Sequence, residues 1–193
     1  MVRGRKRKPG KRHPCGKLVQ PGAAETQREV MATVLEARQR QYGVSARQAK
    51  DDRLGSAIGR LAFAGNIAAE QLAAAELYGE LMARNRGVMG LPRIHPHSAA
   101  GLMLDEGIFG QSTNVHEPEF VERVRRRAAA AILMVRTSDG DAPASTGRKP
   151  SALVHAVACY DTDAAAWSRA DLRNLCHGLD ALVGLFRVRR DSS

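Results

Sequence analysis

The side chains with the clearest chemistry in this chain are cations. Arg3, Arg5, Lys6, Arg7, Lys8, Lys11, Arg12 and Lys17 fall within the first 20 residues, which hold no Asp or Glu. Gly4, Pro9, Gly10, Pro14, Gly16, Pro21 and Gly22 interrupt the run, and almost nothing apolar accompanies it. Such a segment cannot bury enough surface to offset the entropy of ordering, so residues 1–22 are expected to form a disordered basic arm until a polyanion orders them. The chemistry is phosphate capture. Each cation set against a phosphate releases a condensed counterion. With about six engaged, affinity for a duplex falls roughly a thousandfold between about 50 and 200 mM salt.

A second cationic cluster is Arg123, Arg125, Arg126 and Arg127. At helical spacing Arg123, Arg126 and Arg127 share a face, a candidate second nucleic-acid contact. The competing reading is a solvated face carrying Glu119–Arg123 and Glu122–Arg126 ion pairs at i, i+4.

Other chemistry is sparse. His95-Pro96-His97 is the one close histidine pair, and joining it to His116 and Cys159 is a weak basis for a metal site. Adjacent residues on a helix point about 100° apart, so Cys176 and His177 cannot act together as nucleophile and base. No Gly-x-x-x-x-Gly-Lys-Ser/Thr, Gly-x-Gly-x-x-Gly, Gly-x-Ser-x-Gly, Cys-x-x-Cys or His-Glu-x-x-His occurs. The sequence is read as non-enzymatic, with no catalytic residue, metal or cofactor assigned.

The elements that must carry these cations read as helices. Residues 23–42 are helix formers with Val30, Met31, Val34 and Leu35 in a stripe and Gly43 as the stop. A helix over 51–64 and another over 67–86, broken at Gly65-Asn66, are rich in Ala and Gly and predict a close αα-hairpin. A structural hairpin is expected over the alternative of a DNA-reading helix-turn-helix: its second helix starts with Glu70 and Gln71 and continues with Glu76 and Glu80, which phosphate would repel. Pro118 suits the first position of a helix running to about residue 136. Residues 137–149 lack periodicity and read as a flexible loop. Ala152–Tyr160 is assigned as helix from its context. Ser168 and Asp171 resemble a capping box, followed by Leu172, Leu175, Leu179, Leu182 and Phe186 at alternating spacings of three and four. That seam is the candidate surface for a homo-oligomer, although packing within the domain is the stronger expectation.

The fold expected is therefore all-α: a small helical domain built on a central αα-hairpin (51–86) with a disordered basic arm. The basic arm spans 1–22, the helical domain 23–136, the loop 137–149, and C-terminal helices over 150–190 pack on the same domain.

The 193 residues are 44% hydrophobic and 26% charged, enough apolar content for a packed core. Aromatics are only 4%, which argues against a stacking platform for single-stranded nucleic acid. Net charge is +10, yet residues 21–193 hold 22 basic and 20 acidic groups, a net of +2. No apolar window is long enough to span a membrane, and none follows the basic start as a secretory signal would require. Three scattered cysteines (Cys15, Cys159, Cys176) suit a reducing cytoplasm.

Arg3-Gly4-Arg5-Lys6-Arg7-Lys8-Pro9 resembles the AT-hook of the A·T minor groove, with Lys6 where the hook has proline. More of the chain resembles a group of small basic phage or prophage proteins of proteobacteria. The residues concerned are Gly4 to Gly10, Leu54-Gly55-x-Ala57-Ile58-Gly59-Arg60-Leu61, Gly65-x-Ile67, Tyr78-x-x-Leu81, Met89-Gly90-Leu91-Pro92 and Asp171-Leu172-x-x-Leu175-x-x-Gly178-Leu179-x-x-Leu182. The resemblance implies a setting in DNA packaging, small-terminase-like, or in transcription regulation. Charge and resemblance together predict a double-stranded DNA-binding protein. The alternative is a protein–protein interaction module with non-specific affinity for DNA or RNA.

Overall fold

The structure, a computed structural model, describes residues 23–91 and 117–188 together with Pro14, Lys17 and Leu18. The chain divides into two units, Met1–Asp51 and Asp52–Ser193. Among the described residues there are six α-helices and no strand: α1 (Ala23–Tyr42), α2 (Ala57–Phe63), α3 (Ala69–Val88), α4 (Pro118–Thr137), α5 (Pro150–Tyr160) and α6 (Arg169–Phe186). The domain is all-α, as the apolar periodicity requires.

In the first unit, α1 ends where expected. Gly43 takes a left-handed backbone at φ 63, and its N–H closes on the Gln39 carbonyl at 3.0 Å. The predicted stripe is nevertheless open, with Val30 55% and Met31 52% exposed. Arg38 of α1 is anchored to the segment that follows the helix. Its guanidinium donates to the Ala49 carbonyl at 3.1 Å and to the Asp51 carbonyl at 3.5 Å.

In the second unit the αα-hairpin is present, but its first helix is shorter than the sequence suggested. A 3-10 turn at Asp52–Gly55 precedes Ser56, whose extended backbone and hydroxyl cap α2 by accepting the Gly59 N–H at 3.1 Å. Across the Gly65 turn, α3 packs on α4, α5 and α6 as well as on α2. Its Ala74, Ala75, Tyr78 and Met82, spaced by one turn, join Ala128, Ala131 and Val135 of α4, Leu153, Val154 and Val157 of α5, and Leu175, Leu179 and Leu182 of α6 in one core.

The small residues permit close approach, though partly between helices other than the hairpin pair. A Cβ on Gly79 of α3 would stand 2.5 Å from the Ala158 carbonyl oxygen of α5, and one on Gly178 of α6 would stand 2.9 Å from Val154. The C-terminal leucine seam is consumed in the same core. Leu175, Leu179 and Leu182 are 0% exposed and pack within the domain, the stronger of the two expectations, while Leu172 and Phe186 at the ends of the seam are half-buried.

Residues 137–149, expected to be a flexible loop, have no helix beyond Thr137 but are fastened to the domain. The Asn174 amide holds Ala144, and the Asp171 carboxylate accepts the Arg148 N–H at 2.8 Å. No described helix is long and apolar enough to cross a membrane.

Candidate nucleic-acid interface

Of the predicted cations in the leader, Arg3, Arg5, Lys6, Arg7, Lys8, Lys11 and Arg12 lie outside the described residues, and Lys17 is exposed. Arg123, Arg126 and Arg127 all project from the exposed side of α4, because Val124, Ala128 and Ala131 take the inward positions one and two turns along.

Their surroundings differ. Arg126 pairs with Glu122 at 2.7 Å, one of the two intrahelical pairs foreseen. Arg123 lies over the Phe120 ring, 5.6 Å from its centroid, rather than held in the other. Arg127 faces a cleft between α3, α4 and the end of α6. The surface is thus less uniform than a ridge of equivalent arginines. Both partners of the Arg126–Glu122 pair are largely solvated, which leaves the arginine available to exchange a carboxylate for a phosphate.

The cleft beside Arg127 has a volume of about 300 Å³. Arg84 and Glu80 of α3 and Arg187, just past α6, complete its charged rim, and its floor is apolar. Arg84 and Glu80 pair at 2.5 Å. Arg187 adopts a left-handed backbone at φ 53 that closes α6, its N–H donating to the Val183 carbonyl. Of the three, only Arg127 stood out in the sequence, as part of the Arg123–Arg127 cluster. These three residues span more than 100 positions, and no local spacing links them.

Among the described residues, the Cys159 and Cys176 thiols are both shifted toward the protonated form. Burial pushes Cys159 up to about 12, against a smaller opposing pull from Arg86. Burial, helped by the Asp180 carboxylate, also raises Cys176, which donates to the Asn66 carbonyl at 3.5 Å. His177 turns elsewhere: its Nε2 is 3.0 Å from Asp141, a contact that holds the Asp141 carboxyl below the usual carboxylate range. Neighbours on α6 therefore have separate partners, as helical geometry dictates. His95, His97, His116 and Cys15 lie outside the described residues. Among the described residues no three His, Cys, Asp or Glu side chains converge closely enough to hold a metal ion.

One further arginine is committed to structure. Arg148 forks onto the Asp171 carboxylate, with Nε to Oδ1 at 3.3 Å and one terminal nitrogen to Oδ2 at 3.2 Å, and stacks 4.4 Å over Trp167. That fork, with the backbone N–H of Arg148, holds the Asp171 carboxyl well below the usual range.

No protein-family model, curated protein sequence or solved structure matches the chain.

Proposed function

We propose that this chain is a non-enzymatic, phage-type protein that binds double-stranded DNA, with phosphate capture centred on the basic leader, residues 1–22. The observation that carries the reading is the segregation of charge: eight cations and no acid in the first 20 residues, against a net of +2 for the rest. A chain that needed charge only for solubility would gain as much by dispersing it. Dispersed charge could not produce the local field and multiple counterion release that a cluster provides.

The helical domain supplies a second, weaker contact through Arg123 and Arg126, both exposed on α4. Packaging and transcription regulation both use such contacts, and the resemblance to phage proteins supports either setting.

Electrophoretic mobility shifts across a salt series test the reading. The full chain is compared with a variant in which all eight leader Lys and Arg are replaced by Gln. The wild type is expected to lose affinity with a log–log slope near −5, for about six phosphates. The variant is expected to lose most of both affinity and slope. Equal affinity and slope in the two proteins would discard the leader and transfer the contact to α4. Preference for single-stranded RNA over duplex DNA in a competition would assign the leader to RNA instead.

A further inference from the structure

The cleft at the end of α6 has a composition that suits a protein better than a nucleic acid. Leu77 is 44% exposed at its edge, although its neighbours Ala74, Ala75 and Tyr78 are buried. Phe186 and Leu81 add to the floor. Beyond Ala130, which also lines the cleft, Leu133 (64% exposed) and Met134 (37%) continue the apolar surface along α4. Residues 127, 130, 133 and 134 are spaced by about one turn, so a single strip of α4 passes from cationic to apolar.

Charge and apolar surface here select one kind of occupant. Arg84 is already held by Glu80, whereas neither Arg127 nor Arg187 pairs with a carboxylate among the described residues. A phosphodiester backbone would satisfy the arginines but gain nothing from the leucine and phenylalanine floor. An amphipathic helix with large apolar residues on one face and flanking carboxylates would satisfy both. We propose that this cleft docks an acidic amphipathic helix of a protein partner. Its apolar anchors would rest on Leu77 and Phe186, and its carboxylates would meet Arg127 and Arg187. This docking needs no DNA contact by the leader.

The test uses the full chain and a displayed library of 16-residue amphipathic helices whose polar positions vary freely in charge, panned at physiological salt. Enriched helices are expected to be rich in Asp and Glu. A synthetic copy of the most enriched helix is then titrated against three proteins by fluorescence anisotropy. The double variant Arg127→Glu, Arg187→Glu is expected to weaken binding at least tenfold, and a peptide with Lys for the matching Glu is expected to recover it. Leu77→Gln is expected to weaken peptide binding at least fivefold while leaving duplex DNA affinity unchanged. Thermal unfolding curves that match the wild type establish that each variant is folded.

Enrichment of neutral or basic helices, or no enrichment, would overturn the proposal. So would acidic helices that bind the cleft variants at wild-type strength and are displaced by duplex DNA, a result that places them on the leader.

Discussion

The side-chain amide of Asn174 meets the backbone of Ala144 twice. Its Oδ1 accepts the Ala144 N–H and its Nδ2 donates to the Ala144 carbonyl, both at 2.9 Å and across 30 residues of sequence. The same Nδ2 donates to the Arg148 carbonyl at 2.9 Å. Asn174 is only 1% exposed, so these bonds form away from water and deleting the amide would strand backbone groups without a partner. Asn174→Ala is expected to lower the unfolding free energy by about 3 kcal/mol. It should also open residues 139–148 to limited proteolysis at protease concentrations that leave the wild type intact. Denaturant melts and a timed digest measure both effects, and a digest indistinguishable from the wild type would mean that the amide does not secure the loop.

Two glycines of α3 should respond to alanine in opposite directions. Gly79 abuts the Ala158 carbonyl, so the added methyl must push α3 and α5 apart, at a cost of about 1–3 kcal/mol. Gly87 has nothing within 4 Å of the same added atom, and Gly87→Ala should stabilise the helix by about 0.5–1 kcal/mol through propensity alone. Paired thermal melts decide this. A matching response at the two positions would contradict the close approach of α3 to α5.

These contrasts mark what was legible in the sequence. Pro118 as the first residue of α4, Ser168 as the cap of α6, and the leucine spacing of α6 each rest on local chemistry, and each appears at the position read from the residues. The split of the helix before α2 was less legible, because it depends on Ser56 capping the helix and on Gly59 lying against the Arg53 carbonyl. The firm attachment of residues 137–149 was invisible for a different reason. Gly, Ser, Asp and Pro look alike in mobile and fastened loops, and the fasteners, Asn174 and Asp171, lie on another element. The cleft of Arg84, Arg127 and Arg187 arises only from packing α3, α4 and α6 together. The leader is the opposite case: its charge is read in full from the sequence.

Asp161 joins two helices by itself. It ends α5 in a left-handed backbone at φ 50, and its Oδ1 accepts the N–H of Ala57 at the start of α2 at 2.5 Å. Two demands meet at this position, a left-handed conformation and an acceptor. Asn meets both, Gly meets only the first and Ala meets neither. Stability is therefore expected to fall in the order Asp161→Asn, Asp161→Gly, Asp161→Ala, with the last about 2 kcal/mol below the wild type. Urea midpoints rank the series, and an alanine variant as stable as the asparagine variant would remove the long-range cap.

Acid should weaken the fold before any carboxylate titrates, through His155. The ring is half-buried, its Nδ1 lies 3.4 Å from the Tyr78 hydroxyl, and the Tyr160 ring stacks edge-on at 5.3 Å. Burial first and the Arg86 cation second hold His155 below its ordinary value of 6.5. Burial pushes Tyr78 up to about 12, so its neutral hydroxyl can donate to a neutral imidazole. The unfolded chain, whose histidine titrates normally, takes up the proton first as pH falls, and linkage then favours unfolding. This contribution is fully present above the unfolded value and shrinks as pH drops from about 7 toward the lower folded value. Urea unfolding at half-unit intervals between pH 7.5 and 5 should therefore show stability declining with acid, and His155→Gln should flatten the decline. Asp141 and Asp171, held below the usual carboxylate range, take no part in this window. A slope left unchanged by His155→Gln would mean that another group, not this neutral ring, senses the acid.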